Sequence, residues 1–187
     1  MNRNEKRLLL RAILKLMTAV ALIVSAAVLV SGLFGGGGER ASTRLRVALG
    51  ELAPGELRRI EWAGRPLLLL HRDAAMLAAL RDPAQSAGLR DADGDWSEQP
   101  EGLPAETRSR QPEYFVALAV GSDLGCALRW LPAGGEFRGR PWPGGFADTC
   151  RGSRYDLAGR VFDDQQAQRN LQVPDYRIDG GALLFGE

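Results

Sequence analysis

Residues 16–34, LMTAVALIVSAAVLVSGLF, form a run of 19 residues without a charge. No other stretch constrains the fold as strongly. As a helix the run extends about 28 Å, close to the hydrocarbon thickness of a bilayer. Arg3, Lys6, Arg7, Arg11 and Lys15 precede it, against a single Glu5. Such an imbalance keeps the basic flank in the cytoplasm and predicts an exported C-terminal part. A cleaved signal peptide is the rival reading, because Ser31 and Gly32 offer small residues for cleavage. The apolar run is longer than the roughly 7–15 residues of a signal core, which favours a retained anchor.

The chain then divides into a basic N-terminus with its anchor helix (1–34), a Gly-rich linker (35–43) and an exported domain (44–187). The linker opens on four glycines, 35–38, whose broad backbone freedom suits a hinge or a passive spacer. A length of 187 residues fits one globular domain plus an anchor. The net charge is only +1. Positive residues are scattered along the body, so nothing recommends a nucleic-acid partner.

Alternation and turn chemistry predict a mostly β domain. Residues 44–49 alternate as a strand. Leu52-Ala53-Pro54-Gly55-Glu56 is a turn, and 57–62 and 66–71 are strands around Ala63-Gly64-Arg65. Residues 73–80 are a short helix with Asp73 as N-cap. The polar stretch 81–110 reads as a surface loop with one small helix or turn. Its DADGD lacks the spacing and the closing Glu of a calcium loop. Residues 114–120 are an apolar strand, 127–132 lead away from it, and 155–161 form a turn with Gly159 at a positive φ. Residues 172–178 and 182–185 supply the last strands around Asp179-Gly180-Gly181. His71 is the only histidine and closes a strand, a place where an imidazole is usually structural or solvated.

Two boxes stand in the C-terminal third: Gly121-Ser122-Asp123-Leu124-Gly125-Cys126 and Asp148-Thr149-Cys150-Arg151-Gly152-Ser153. Tyr155-Asp156 and Gly159-Arg160-Val161 follow the second. Together they resemble the C-T-H-L-G-C and C-P-C-H-G-S boxes of Rieske proteins, the iron–sulfur subunits of quinol:cytochrome c oxidoreductases. The early stretch ELAPGELRRIEWAGRPLLLLHRD and the closing NLQVPDY are similar to that family too. The resemblance implies a membrane-anchored antiparallel β-sandwich head. It also implies that Cys126 and Cys150 occupy the family's disulfide positions, with ordinary buried thiols as the alternative. A bridge closing that loop contributes roughly 3–4 kcal/mol on the chain-entropy model.

In the family the first Cys and the His of each box hold a two-iron, two-sulfur cluster. The matching positions here are Gly121, Asp123, Asp148 and Arg151. The sequence holds two cysteines and one histidine, short of the two thiolates and two imidazoles that cluster needs. The cluster is therefore expected to be absent. Ser153 and Tyr155 match positions whose hydroxyls bond to cluster or ligand sulfur, and here they must find other partners. Arg151 has room, on the resemblance, to sit between Asp123 and Asp148; the other reading sends all three into water. Two carboxylates beside an Arg make a poor start for a calcium or magnesium site. After the second box the family carries G-P-A-P-R-N-L, where this chain has Gln165-Gln166-Ala167-Gln168-Arg169-Asn170-Leu171. Loss of both prolines predicts a looser loop. Residues 5–11 resemble a weakened twin-arginine signal, with Lys6 in place of the first Arg.

The resemblance implies a bacterial-type inner membrane protein, N-terminus cytoplasmic and head periplasmic. Its partners would be the membrane and subunits of a cytochrome bc-type complex or an oxidase. A structural or regulatory role without electron transfer is the leading expectation. An iron–sulfur subunit with nonstandard ligation, an assembly factor and a redox sensor acting through the two cysteines stay open beside it. No catalytic residue and no metal ligand is assigned.

Overall fold

The computed structural model describes residues 2–34 and 44–186. The Gly-rich linker lies outside the described residues. The chain divides into two units, Met1–Ala41 and Ser42–Glu187.

In the first unit, helix α1 runs over Arg3–Phe34. Its stretch Glu5–Val30 is long and apolar enough to cross a membrane, and its side chains are uncovered. From residue 16 on it carries no charge on any side, which is what a lipid-facing helix presents and a water-facing one avoids.

The second unit is mostly β, and all its strand pairs are antiparallel. Three small sheets and a two-stranded hairpin surround one hydrophobic core. The first sheet joins β1 (Leu45–Ala48), β10 (Arg177–Asp179) and β11 (Ala182–Phe185), with β11 in the middle. The second joins β2 (Leu57–Trp62), β3 (Arg65–His71) and β4 (Tyr114–Leu118). The central strand β3 carries Leu67, Leu68, Leu69 and Leu70, all fully buried. A continuous apolar run suits a strand covered on both faces, where alternation would fail. The third joins β5 (Leu128–Leu131), β8 (Gly145–Asp148) and β9 (Arg154–Tyr155). The hairpin pairs β6 (Glu136–Phe137) with β7 (Arg140–Pro141).

Helix α2 covers Ala74–Arg81, and the Asp73 side chain accepts the Met76 N–H at 2.8 Å as its N-cap. Helix α3 is a single turn, Pro83–Ser86, capped by Asp82 in the same way.

Two expectations need correction. The connection 81–110 is no mere surface loop: Asp91, Thr107, Arg108 and Ser109 are buried in it. Residues 172–176 do not form a ladder strand. Leu118 N–H donates to Gln172 O at 2.9 Å and Val173 N–H donates to Glu98 O at 3.0 Å, which spreads their pairing over two segments. The loop 165–171, which lacks the two prolines, is tied by side-chain hydrogen bonds. Arg154 N–H donates to Gln165 Oε1, Ala167 N–H donates to Ser153 Oγ, and Val161 N–H donates to Asn170 Oδ1.

Candidate functional site

The first box links the second sheet to the third, and the second box is a loop within the third sheet. The first leaves β4 and returns to β5. Its mouth is closed by the Val120↔Ala127 bridge and by Gly121 N–H donating to Cys126 O at 2.8 Å. The second turns from β8 to β9, closed by Asp148 N–H donating to Ser153 O at 3.1 Å. Thr149 N–H donates to Ala127 O at 3.0 Å, so the loops lie side by side. Cys126 and Cys150 are joined in a disulfide across them.

The four positions of interest meet in two pairs. Gly121 faces Asp148: a Cβ built on Gly121 would stand 2.9 Å from the Asp148 Cβ. Asp123 faces Arg151, with Nη1 3.4 Å from Oδ2. Their side chains are 29% and 47% exposed, so water screens the pair, which contributes about 0–1 kcal/mol.

Arg151 does not reach between both carboxylates. Asp148 turns away from the guanidinium and into the backbone of its own loop. Its Oδ1 accepts the N–H groups of Cys150 at 2.9 Å and Arg151 at 2.7 Å, and its Oδ2 accepts that of Ser153 at 2.8 Å. The residue is 7% exposed. Burial alone would raise its carboxyl. The three N–H donors outweigh burial and hold it below the usual aspartate range.

Ser153 and Tyr155 make hydrogen bonds within the protein. Ser153 Oγ accepts the Ala167 N–H at 3.1 Å. Tyr155 is fully buried, and its Oη accepts the Ser122 N–H at 3.2 Å. Ser122 Oγ donates to Arg169 O, which leaves Tyr155 Oη to donate to Ser122 Oγ, 3.2 Å away. The chain of bonds ties the second box, the first box and the loop 165–171 together. Burial pushes the Tyr155 phenol up from its ordinary value. Ser122 was missed by sequence reasoning. The available signal was a hydroxyl inside the first box beside a retained tyrosine.

Two buried arginines also escaped sequence reasoning. Arg72 is 1% exposed; it donates to Leu157 O, Pro112 O, Thr107 O and Ser109 Oγ, with Phe115 under its guanidinium at 4.8 Å. Arg108 is fully buried; it donates to Gln99 Oε1, Ala158 O, Gly159 O and Leu171 O. Burial lowers them to about 9 and about 10, so both keep their protons at neutral pH. They bind the connection 81–110 to the turn 155–161 beneath the boxes. Asp156 stiffens that turn by accepting the N–H groups of Ala158 and Arg160 and pairing with the Arg160 guanidinium at 2.7 Å.

His71 lies outside the boxes. Its Nδ1 is 2.6 Å from Leu52 O, and its ring stacks on Tyr114 at 4.5 Å. Among the described residues, no group of three or more His, Cys, Asp or Glu is placed to hold a metal ion.

No family model matches this chain. Among curated proteins, the ubiquinol-cytochrome c reductase iron-sulfur subunit of Allochromatium vinosum is 39% identical over 143 residues, which covers 74% of this chain and 67% of that protein. The mitochondrial cytochrome b-c1 complex subunit Rieske-4 of Nicotiana tabacum is 30% identical over 151 residues, 76% of this chain and 52% of its own length. This chain thus spans about half of that mitochondrial relative. Among solved structures, a chain of a hyperthermophilic respiratory complex III aligns over 91% of this chain and 96% of itself, at 18% identity and a TM-score of 0.47.

Proposed function

This chain belongs to the family of ubiquinol-cytochrome c reductase Rieske iron–sulfur subunits, and from that premise we propose that it is a cluster-free, membrane-anchored member serving a cytochrome bc-type respiratory complex or supercomplex as a structural or regulatory subunit. In this reading it carries no electrons itself.

The family's two-iron, two-sulfur cluster asks for two thiolates on one iron and two imidazoles on the other. The residues present do not fit that group. Gly121 has no donor, and Arg151 is a permanent cation without a lone pair to give. Asp123 faces the Arg151 guanidinium. Asp148 spends its oxygens on three backbone N–H groups. The observation that carries the reading is the contact of Gly121 with Asp148. The two positions that supply thiolates in the family stand too close here for even a Cβ on Gly121.

Helix α1 supports a single span. The five basic residues before its apolar run support a cytoplasmic N-terminus and a periplasmic head in a bacterial-type inner membrane. Cysteines substituted at Asn2 and at Arg169 test the orientation. Only the second should react with a membrane-impermeant maleimide in intact spheroplasts, and the reverse labelling overturns it.

Iron analysis and electron paramagnetic resonance of the purified full chain test the absence of the cluster. The expected result is no stoichiometric iron and no rhombic signal on reduction. Stoichiometric iron with such a signal overturns the reading. The role is tested by affinity purification in mild detergent, where subunits of the bc-type complex or an oxidase should co-elute; their absence removes the proposed partner.

A further inference from the structure

We propose, on the reading of α1 as a retained membrane span, that Arg7, Arg11 and Lys15 form one stripe on that helix which binds the headgroup of an anionic phospholipid.

The stripe exists because the helix begins well before its uncharged run. Helix α1 is continuous over Arg3–Phe34, so its basic residues share one axis with its apolar ones. Residues four apart on a helix recur about 40° round the axis and about 6 Å along it. Arg7, Arg11 and Lys15 keep that spacing. They therefore share an arc of about 80° over about 12 Å of helix. All three are exposed, and none makes an ion pair among the described residues. Glu5 stands about 120° round the axis from Arg11. Its carboxylate accepts the Asn2 N–H at 2.8 Å, away from the stripe.

Length decides where the stripe sits. From Leu8 to Phe34 the helix is about 40 Å long, roughly 10 Å more than the hydrocarbon of a bilayer. An upright helix would hold Leu8, Leu9 and Leu10, each at least half exposed, beyond the apolar layer. Tilt relieves such a mismatch. Leu9, Ile13 and Leu16 lie on the face opposite Arg11. Tilting toward that face sinks them into hydrocarbon and leaves the stripe uppermost. Its long side chains then extend to the phosphates.

Charge names the occupant. A row of cations with no carboxylate in it favours a headgroup of net negative charge. A zwitterionic headgroup would bring its own ammonium against the same row.

The test uses the full chain reconstituted in phosphatidylcholine vesicles. Trace spin-labelled phosphatidylglycerol or spin-labelled phosphatidylcholine is added, and electron paramagnetic resonance reads the motionally restricted fraction of each. No other protein is present, and both orientations of the chain report equally. Phosphatidylglycerol should associate at least about threefold more strongly. Arg7→Gln, Arg11→Gln and Lys15→Gln together should remove the preference. Arg11→Ala combined with Ala12→Arg keeps the charge but moves it about 100° out of the row, and the preference should fall by at least about half. Arg169→Gln, in the other unit, should leave it unchanged. Extraction with alkaline carbonate is scored on the same vesicles. Loss of the chain there fails the span itself, whereas a retained chain with equal association of both lipids fails the stripe alone. An undiminished preference in the triple or the exchanged variant, or its loss in Arg169→Gln, also overturns the proposal.

Discussion

Gly121 and Asp148 close on each other across the paired loops, so that a Cβ at position 121 would lie 2.9 Å from that of Asp148. Both atoms belong to stiff parts of the chain, since the Asp148 side chain is fixed by three backbone donors. Gly121→Ala should therefore destabilise the head by about 1–3 kcal/mol, the usual cost of overpacking a fixed site. Chemical denaturation followed by tryptophan fluorescence measures it. A neutral substitution would mean that the loops part freely.

Asp148→Asn keeps the shape and removes the charge. One of its two terminal atoms becomes a donor facing a donor, so a loss of about 1–3 kcal/mol is expected near neutral pH. The folded carboxyl sits below its ordinary value of 3.8, so its contribution is complete above that value and fades as pH falls through the folded value. The gap between wild type and variant should thus be constant from neutral pH to about pH 5 and shrink only in stronger acid. A gap that shrinks on going to alkaline pH contradicts the assignment.

Asp123→Asn and Arg151→Gln, singly or together, should change stability by less than about 1 kcal/mol, because the pair is largely solvated. Thermal unfolding of the four proteins of the double-mutant cycle reads the coupling directly. A large coupling would transfer to this pair the structural role assigned to Asp148.

Replacing both Cys126 and Cys150 with Ser opens a link spanning 24 residues of sequence. The expected loss is roughly 3 kcal/mol, with the fold retained, since Thr149–Ala127 and Tyr155–Ser122 still join the loops. Circular dichroism and denaturation separate the two parts of that statement.

Arg72→Met removes the donor from four acceptors; Ser109 Oγ still donates to Thr107 O, so Leu157 O and Pro112 O are the two left stranded. At roughly 1–3 kcal/mol for each buried group left unpaired, the loss should be about 2 kcal/mol or more. Arg72→Lys should recover little of it, because an ammonium cannot reproduce the planar fork. Full recovery by Lys would show that charge alone matters there.

Much of the framework was legible in the residues. The apolar run Leu67–Leu70 announced a strand, and its central place in the sheet came only with the structure. Asp73 announced α2 by its capping chemistry. The apolar run of α1 needed no tertiary information at all. Asp91, Arg108 and Ser109 were not legible, because a polar stretch looks the same whether its partners are water or distant carbonyls. Arg108 finds three of its four acceptors 50–63 residues away. The β6–β7 hairpin is two residues a side, too short for any period to register. At the boxes, the disulfide positions and the Asp123–Arg151 contact followed from matching loops. The inward turn of Asp148 did not, because it depends on where the backbone N–H groups of residues 150, 151 and 153 point.

The tie between Cys126 and Cys150 has a consequence for how such a head matures. On the cluster-free reading proposed above, the polypeptide itself supplies what holds these loops shut, and the covalent step is removal of two hydrogens from a pair of thiols. On that reading an oxidising compartment is the finishing this tip requires, whichever state of folding it arrives in.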